Sequence, residues 1–261
     1  MARRGLPWDR TREPLTLEPM MLTVLVLLAA APLQGPTNQA APPEAKEPRR
    51  PNLVFAIADD WGWPHAGAYG DKAVATPAFD RVAREGVLFE QAFVSSPSCT
   101  PSRGAILTGQ HFFRLGAGAN LWNEWPEGQF AEYPALLEGA GYHVGSWRKA
   151  WGPGKGAPAG KKYKGVEAYL EARPEGAPLC FWFGAWDPHR GYEAGSGVAD
   201  GIALEDVHLF GHFPDDPVVR SDVADYYFEV QRFDRDVARL MEQLEAIGEL
   251  DNTLLVVTGD H

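Results

Sequence analysis

The sequence predicts an α/β protein with a mostly parallel central sheet and helices on both faces. Residues 52–58, 179–185 and 252–258 are continuous apolar runs, as strands buried on both faces require. Helical periodicity alternates with them, most clearly over 221–247, and such alternation implies parallel strands joined by crossover helices. Each apolar run also ends abruptly in polar residues: Asp59-Asp60, then Asp187-Pro188-His189, then Asp260-His261.

The elements follow in order. Residues 20–33 form a short apolar run with small residues near its end. It is too short to span a bilayer and matches a secretory leader, so a secreted or periplasmic location is expected, with no stable membrane span. The preceding residues suggest either translation from Met20 or Met21 or a long charged leader segment. Residues 35–50, rich in Pro, Ala and charge, read as a linker. The division is therefore an extension over 1–50 and a folded domain over 51–261.

After the first strand, Thr76-Pro77 opens a helix in which Phe79, Val82 and Ala83 share a face, with Gly86 ending it. A second helix follows Pro101 and stops at Gly109, and a third covers 133–139. Residues 142–147 form a further strand, and 149–164, rich in Gly, Pro and Lys, a surface loop. The long helix over 221–247 carries an apolar stripe of Val223, Tyr227, Val230, Val237, Leu240, Met241, Leu244 and Ile247. Asp234 interrupts it and reads as a buried carboxylate tied to a backbone group or an arginine.

A net charge of −11 over 261 residues argues against a nucleic-acid partner, which calls for a basic stripe. An anionic small substrate stays open, because a local cationic pocket overrides global charge. The only cysteines are Cys99 and Cys180, and no disulfide framework is expected.

Cys99 is expected just ahead of a helix N-terminus, beside free backbone N–H groups and the positive end of the helix dipole, with Arg103 one turn further in. A thiol there is expected to be reactive and to face an anion, although a lone cysteine is also commonly a small buried apolar residue. Asp59-Asp60 and Asp260-His261 follow strands whose ends line the crevice of an open parallel sheet. Each pair alone reads equally as a turn or helix cap. Together they suggest a hard divalent cation, calcium or magnesium. A soft thiolate does not belong beside aspartates on such an ion, and the conflict disappears if residue 99 carries oxygen instead of sulfur.

Cys99-Thr100-Pro101-Ser102-Arg103 resembles the signature of the formylglycine-dependent sulfatases, and the two acidic pairs match that family's metal-binding positions in order. The resemblance runs from about residue 52 to the last residue. It implies an alkaline phosphatase-like fold and Cys99 oxidised to formylglycine by a maturation enzyme. It also implies a calcium ion, with magnesium as the alternative, held by Asp59, Asp60, residue 99, Asp260 and His261. Arg103 would steady the gem-diol, Lys149 would clamp a sulfate oxygen, and His189 would serve the leaving oxygen. Trp186-Asp187-Pro188-His189-Arg190 and Trp151-Gly152-Pro153-Gly154 resemble the heparan N-sulfatase branch, which implies a sulfated carbohydrate as substrate. Trp61, Trp63, Trp122, Trp125 and Trp151 are expected near the site as flat faces for sugar rings, and Trp182 in the core.

The chain departs from the family in three ways. Trp151 replaces a histidine that commonly follows the lysine by two residues, Gly259 replaces a common serine, and the family continues well beyond His261. The sequence therefore reads as an N-terminal part, with the C-terminal part of the fold missing and little solubility or turnover expected of it alone. Two rival functions remain. One is a phosphodiester or phosphonate hydrolase of the same superfamily, separable by rates on matched sulfate and phosphate esters. The other is a non-catalytic remnant, separable by the sequence downstream of His261.

Overall fold

The computed structural model describes residues 49–261, so the leader and all but the end of the linker lie outside the described residues. Strands β1 (Asn52–Ala58), β2 (His143–Arg148), β3 (Lys162–Tyr163), β4 (Leu179–Gly184) and β5 (Thr253–Gly259) form one parallel sheet in the order β3-β2-β4-β1-β5. The helices are α1 (Pro77–Glu85), α2 (Cys99–Thr108), α3 (Tyr133–Gly139), α4 (Val166–Glu171), α5 (Ser196–Ala199) and α6 (Pro217–Ala246). No helix among the described residues is long and apolar enough to cross a membrane.

Strand alternation builds two cores, one on each face. Val54, Ala56 and Ala58 of β1, with Phe181 and Phe183 of β4, face α1 and the buried stripe of α6. Phe55 and Ile57 of β1, with Trp182 of β4, face Leu107 of α2 and the indoles of Trp125 and Trp151. The central strands are thus apolar throughout because both faces are covered, as their unbroken apolar runs require.

Several sequence expectations change. β5 is not buried on both faces: Leu255 and Val257 pack on the α6 side, whereas Leu254 is 58% exposed, because β5 lies at the sheet edge among the described residues. The loop expected over 149–164 contains a strand, β3, and buries Lys149, Trp151 and Ala159. α4 and α5 are too short for periodicity to reveal. α6 begins four residues early, at Pro217 with Asp216 as its N-cap accepting from the Val218 N–H (2.8 Å), and Ile247 lies beyond its end and exposed.

Asp234 behaves as its sequence context indicates. From α6 its carboxylate accepts the backbone N–H groups of Ala78 (3.0 Å) and Phe79 (2.8 Å), which the first turn of α1 would otherwise leave unpaired. Asp234→Ala should destabilise the protein by about 2 kcal/mol, combining a lost cap with two orphaned buried donors. Urea unfolding checks this, and a loss below about 0.5 kcal/mol, the usual spread for an inconsequential substitution, would contradict it.

Glu229, also on α6, is buried beside Asp187, with Arg232 bridging the two at 2.8 and 3.5 Å. Burial first, then the shared hydrogen bond and charge of Asp187, raise Glu229 from 4.5 to about 7, against the opposing pull of Arg232. A carboxyl raised in the folded state is protonated there before it is in the unfolded chain. Its stabilisation is therefore complete below about pH 4.5 and is lost as pH rises through about 7. Glu229→Gln should flatten the stability profile between those values in thermal melts, and an unchanged slope would refute the assignment.

Candidate active site

β1 delivers Asp59 and Asp60 to the C-terminal edge of the sheet, and β5, paired with it in register through Ala58 and Gly259, delivers Asp260 and His261. The two strand ends are tied twice. The Asp260 N–H donates to the Ala58 carbonyl (3.1 Å), and the Asp60 N–H donates to Asp260 Oδ1 (3.0 Å). Asp60 adopts a left-handed conformation (φ 67°), which turns its carboxylate toward His261 Nε2, 2.8 Å away. Gly259 makes this turn possible. A Cβ there would lie 2.3 Å from the Trp61 carbonyl oxygen, so the serine common in the family does not fit this backbone.

α2 brings Cys99 and Arg103. Cys99 is the first residue of the helix, not the residue before it, with Ser98 in extended conformation at the cap position. Its Sγ lies 3.4 Å from Asp59 Oδ1, 4.0 Å from Asp60 Oδ1 and 3.7 Å from His261 Nε2. Arg103 does not present its guanidinium to an open anion site. It is fully buried, with Nε donating to Asp260 Oδ2 (2.7 Å), one terminal nitrogen to the carbonyls of Lys149 and Ala150 (3.3 and 3.1 Å), and the other to the Ala58 carbonyl (3.3 Å). The latter is also 3.6 Å from Asp59. Ser102 Oγ donates to the Asp260 carbonyl, a role the sequence did not reveal because a helical serine usually turns outward.

Lys149 follows β2, is buried, and places its ammonium on Asp59 Oδ1. Its backbone carbonyl passes so close to Gly184 that a Cβ there would be 1.5 Å away. His189 lies at the rim, half-exposed, with Nε2 3.8 Å from Asp60 Oδ2. Its Nδ1 donates to the Arg190 carbonyl (3.0 Å), which leaves Nε2 facing the site. The loop carrying it is fixed to β1, since the Asp59 N–H donates to the Asp187 carbonyl (3.0 Å).

The tryptophans divide differently from the sequence expectation. Trp61 packs against Phe79 and Phe233 in the core, and Trp125 and Trp151 are buried against each other, so none of the three presents a face to a ligand. Trp63 and Trp122 are exposed, and so is Trp186, which the sequence reading left out of the aromatic set. Trp182 is core, as expected. Both cysteines are free.

The electrostatics follow from burial and pairing. Burial raises Asp59, an effect that Lys149 and Arg103 only partly offset. Burial would also raise Asp260, but Arg103 and the Asp60 N–H outweigh it and hold the carboxyl below its ordinary value. The hydrogen bond from His261 lowers Asp60. The same bond, with a smaller contribution from Cys99, pushes His261 up to about 10, so its imidazole carries a proton opposite Asp60.

The donor set suits one hard cation. Asp60, Cys99 and His261 form one trio, and Asp59, Cys99 and Asp260 another, with the donor atoms of each trio within 4.8 Å of one another. Ligands about 2.3–2.6 Å from a shared calcium ion can be no further apart than roughly twice that distance. The three carboxylates match such an ion, and a cation there would replace the His261 proton as counter-charge. The His261 imidazole is a softer donor than calcium ordinarily takes, and sulfur at position 99 is the plainer misfit.

A family profile described as Sulfatase matches residues 51–180. Human N-sulphoglucosamine sulphohydrolase is 29% identical over 255 residues, covering 80% of this chain and 50% of that protein. A protein solved in complex with its substrate D-glucosamine-2-N,6-O-disulfate superposes with a TM-score of 0.61 at 21% identity, over 81% of this chain and 65% of the other. The phosphonate monoester hydrolase of Agrobacterium radiobacter superposes with a TM-score of 0.58 at 16% identity, over 81% and 62%. These two likenesses establish a shared fold. The chain spans half the length, or less, of this human relative and of other curated sulfatases it matches. By the profile match, residues 51–180 of this chain are a sulfatase-family domain, and the similarity to the human sulphohydrolase extends over 80% of the chain.

Proposed function

We propose that this site hydrolyses the sulfate ester or sulfamate of a sulfated carbohydrate, with residue 99 acting as formylglycine. The observation that carries the reading is the convergence of Asp59, Asp60, Asp260 and His261 on Cys99, a soft atom among three hard carboxylates. Oxidation of Cys99 by a formylglycine-generating maturation enzyme would replace the thiol with a hydrated aldehyde; one of its hydroxyls would attack the sulfur of the substrate's sulfate as the sugar oxygen or nitrogen departs, and loss of the proton of the other would expel sulfate and restore the aldehyde. Asp59, Asp60, Asp260, His261 and residue 99 would hold a calcium ion, or magnesium in its place, which supplies charge neutralisation at the sulfate oxygens.

The chain's own residues have definable tasks. Arg103, with most of its donors committed to Asp260 and three carbonyls, holds the floor of the site and fixes the approach of α2 to the strand ends. Lys149 is the one buried lysine among the described residues, and its flexible stem would let it shift from Asp59 to a sulfate oxygen as negative charge grows there. His189, oriented by the Arg190 carbonyl, is the rim group that, when its imidazole is doubly protonated, would deliver the Nε2 proton to the departing oxygen. Sulfated amino sugars fit as substrates, on the strength of the activity named for the human relative. The leader expected at 20–33 would place the enzyme outside the cytoplasm, as sulfated glycans require.

When the protein is made alongside the maturation enzyme, mass spectrometry should find an aldehyde at position 99, and sulfate should be released from glucosamine sulfates. Matched phosphate and phosphonate esters should react more slowly. Cys99→Ala should show no turnover. Thiol alone at position 99, or full activity in Cys99→Ala, would refute the proposal.

A further inference from the structure

Trp186 lies two residues beyond β4, in the turn that leads to the rim histidine. It is 54% exposed, although the residues before it in the chain, Leu179–Ala185, are all buried. Its side chain makes no aromatic pair among the described residues, whereas exposed Trp63 packs edge-on against Tyr69. Its backbone is nevertheless held firmly. Ala185 donates to the Ile57 carbonyl (2.9 Å), the Trp186 carbonyl accepts from His189 (3.1 Å), and the Asp187 carbonyl accepts from Asp59 (3.0 Å). The backbone that carries this large apolar ring is thus held beside the first carboxylate of the site and the rim histidine, with much of the residue in water.

Its position follows from the strand. β4 ends at Gly184, where a Cβ would meet the Lys149 carbonyl and, at 3.0 Å, an Arg103 terminal nitrogen, and Trp186 follows two residues on, between the backbone bonds of Ala185 to Ile57 and of Asp187 to Asp59. An exposed indole carried at that sheet end can cover one apolar face of a ligand whose charged group reaches the site.

We propose that Trp186 forms a sugar subsite, its indole stacking on the C–H face of the pyranose whose sulfate enters the site. The proposal rests on the functional reading above and assigns the contact that tells a sulfated sugar from bare sulfate. Titration calorimetry and proton NMR of the full chain with D-glucosamine 6-sulfate, and separately with inorganic sulfate, test it. The unaltered protein should bind the sugar sulfate more tightly than sulfate, with upfield shifts of the sugar ring protons. Trp186→Ala should weaken sugar binding about tenfold and abolish those shifts. It should leave sulfate affinity and the melting temperature unchanged, and Trp186→Phe should retain most of the affinity. Unchanged sugar affinity in Trp186→Ala, or equal weakening of sugar and sulfate, would overturn the subsite while sulfate binding still upheld the site. Failure of the unaltered protein to bind sulfate at all would instead overturn the functional reading, and the subsite with it.

Discussion

The fully buried guanidinium of Arg103 is the constraint on which the rest of the structure depends. It ties α2 to the ends of three strands at once, through Asp260 after β5, the Ala58 carbonyl of β1, and the carbonyls of Lys149 and Ala150 after β2. Removing one member of a buried pair of this kind typically costs about 3–5 kcal/mol, because the other charge is left uncompensated. Lysine could not take the place of this arginine, since a point charge on a single nitrogen cannot reach four acceptors in a planar fork. The same side chain therefore stabilises the sheet edge and sets where Cys99 lies relative to the carboxylates.

Around that anchor the charges nearly balance. Asp59, Asp60 and Asp260 face Arg103, Lys149 and a protonated His261 within a few ångströms. Burial makes every imbalance expensive, so each proton or cation that enters must displace another. Two glycines are needed to close the cluster this tightly: Gly184 lets the Lys149 carbonyl approach β4, and Gly259 admits the Trp61 carbonyl. Gly259 in place of the family's serine thus goes with a turn packed against the backbone of its own neighbour.

The sheet and its main helices were legible because the physics there is local and repetitive. Unbroken apolar runs required burial on both faces, and the α6 stripe required a helix spanning the sheet. The cluster was legible through spacing, since carboxylates placed directly after two strands had to meet at one sheet end if those strands were neighbours. What was not legible depended on contacts between distant segments. The burial of Trp61, Trp125 and Trp151 is set by partners such as Phe233 and by one another, and the inward turn of Arg103 by carbonyls far away in the chain. β5 read as fully buried because composition reports the tendency to be covered, not the presence of a neighbour.

The central claim is that the Asp59, Asp60, Asp260 and His261 donors form one cation site organised on Arg103. Calcium titration calorimetry of the metal-free protein addresses it most directly, comparing the unaltered chain with Asp59→Asn. The account predicts a single calcium site whose affinity falls at least tenfold in Asp59→Asn, as expected when one of three anionic ligands is neutralised. Calcium affinity unchanged by Asp59→Asn would contradict it.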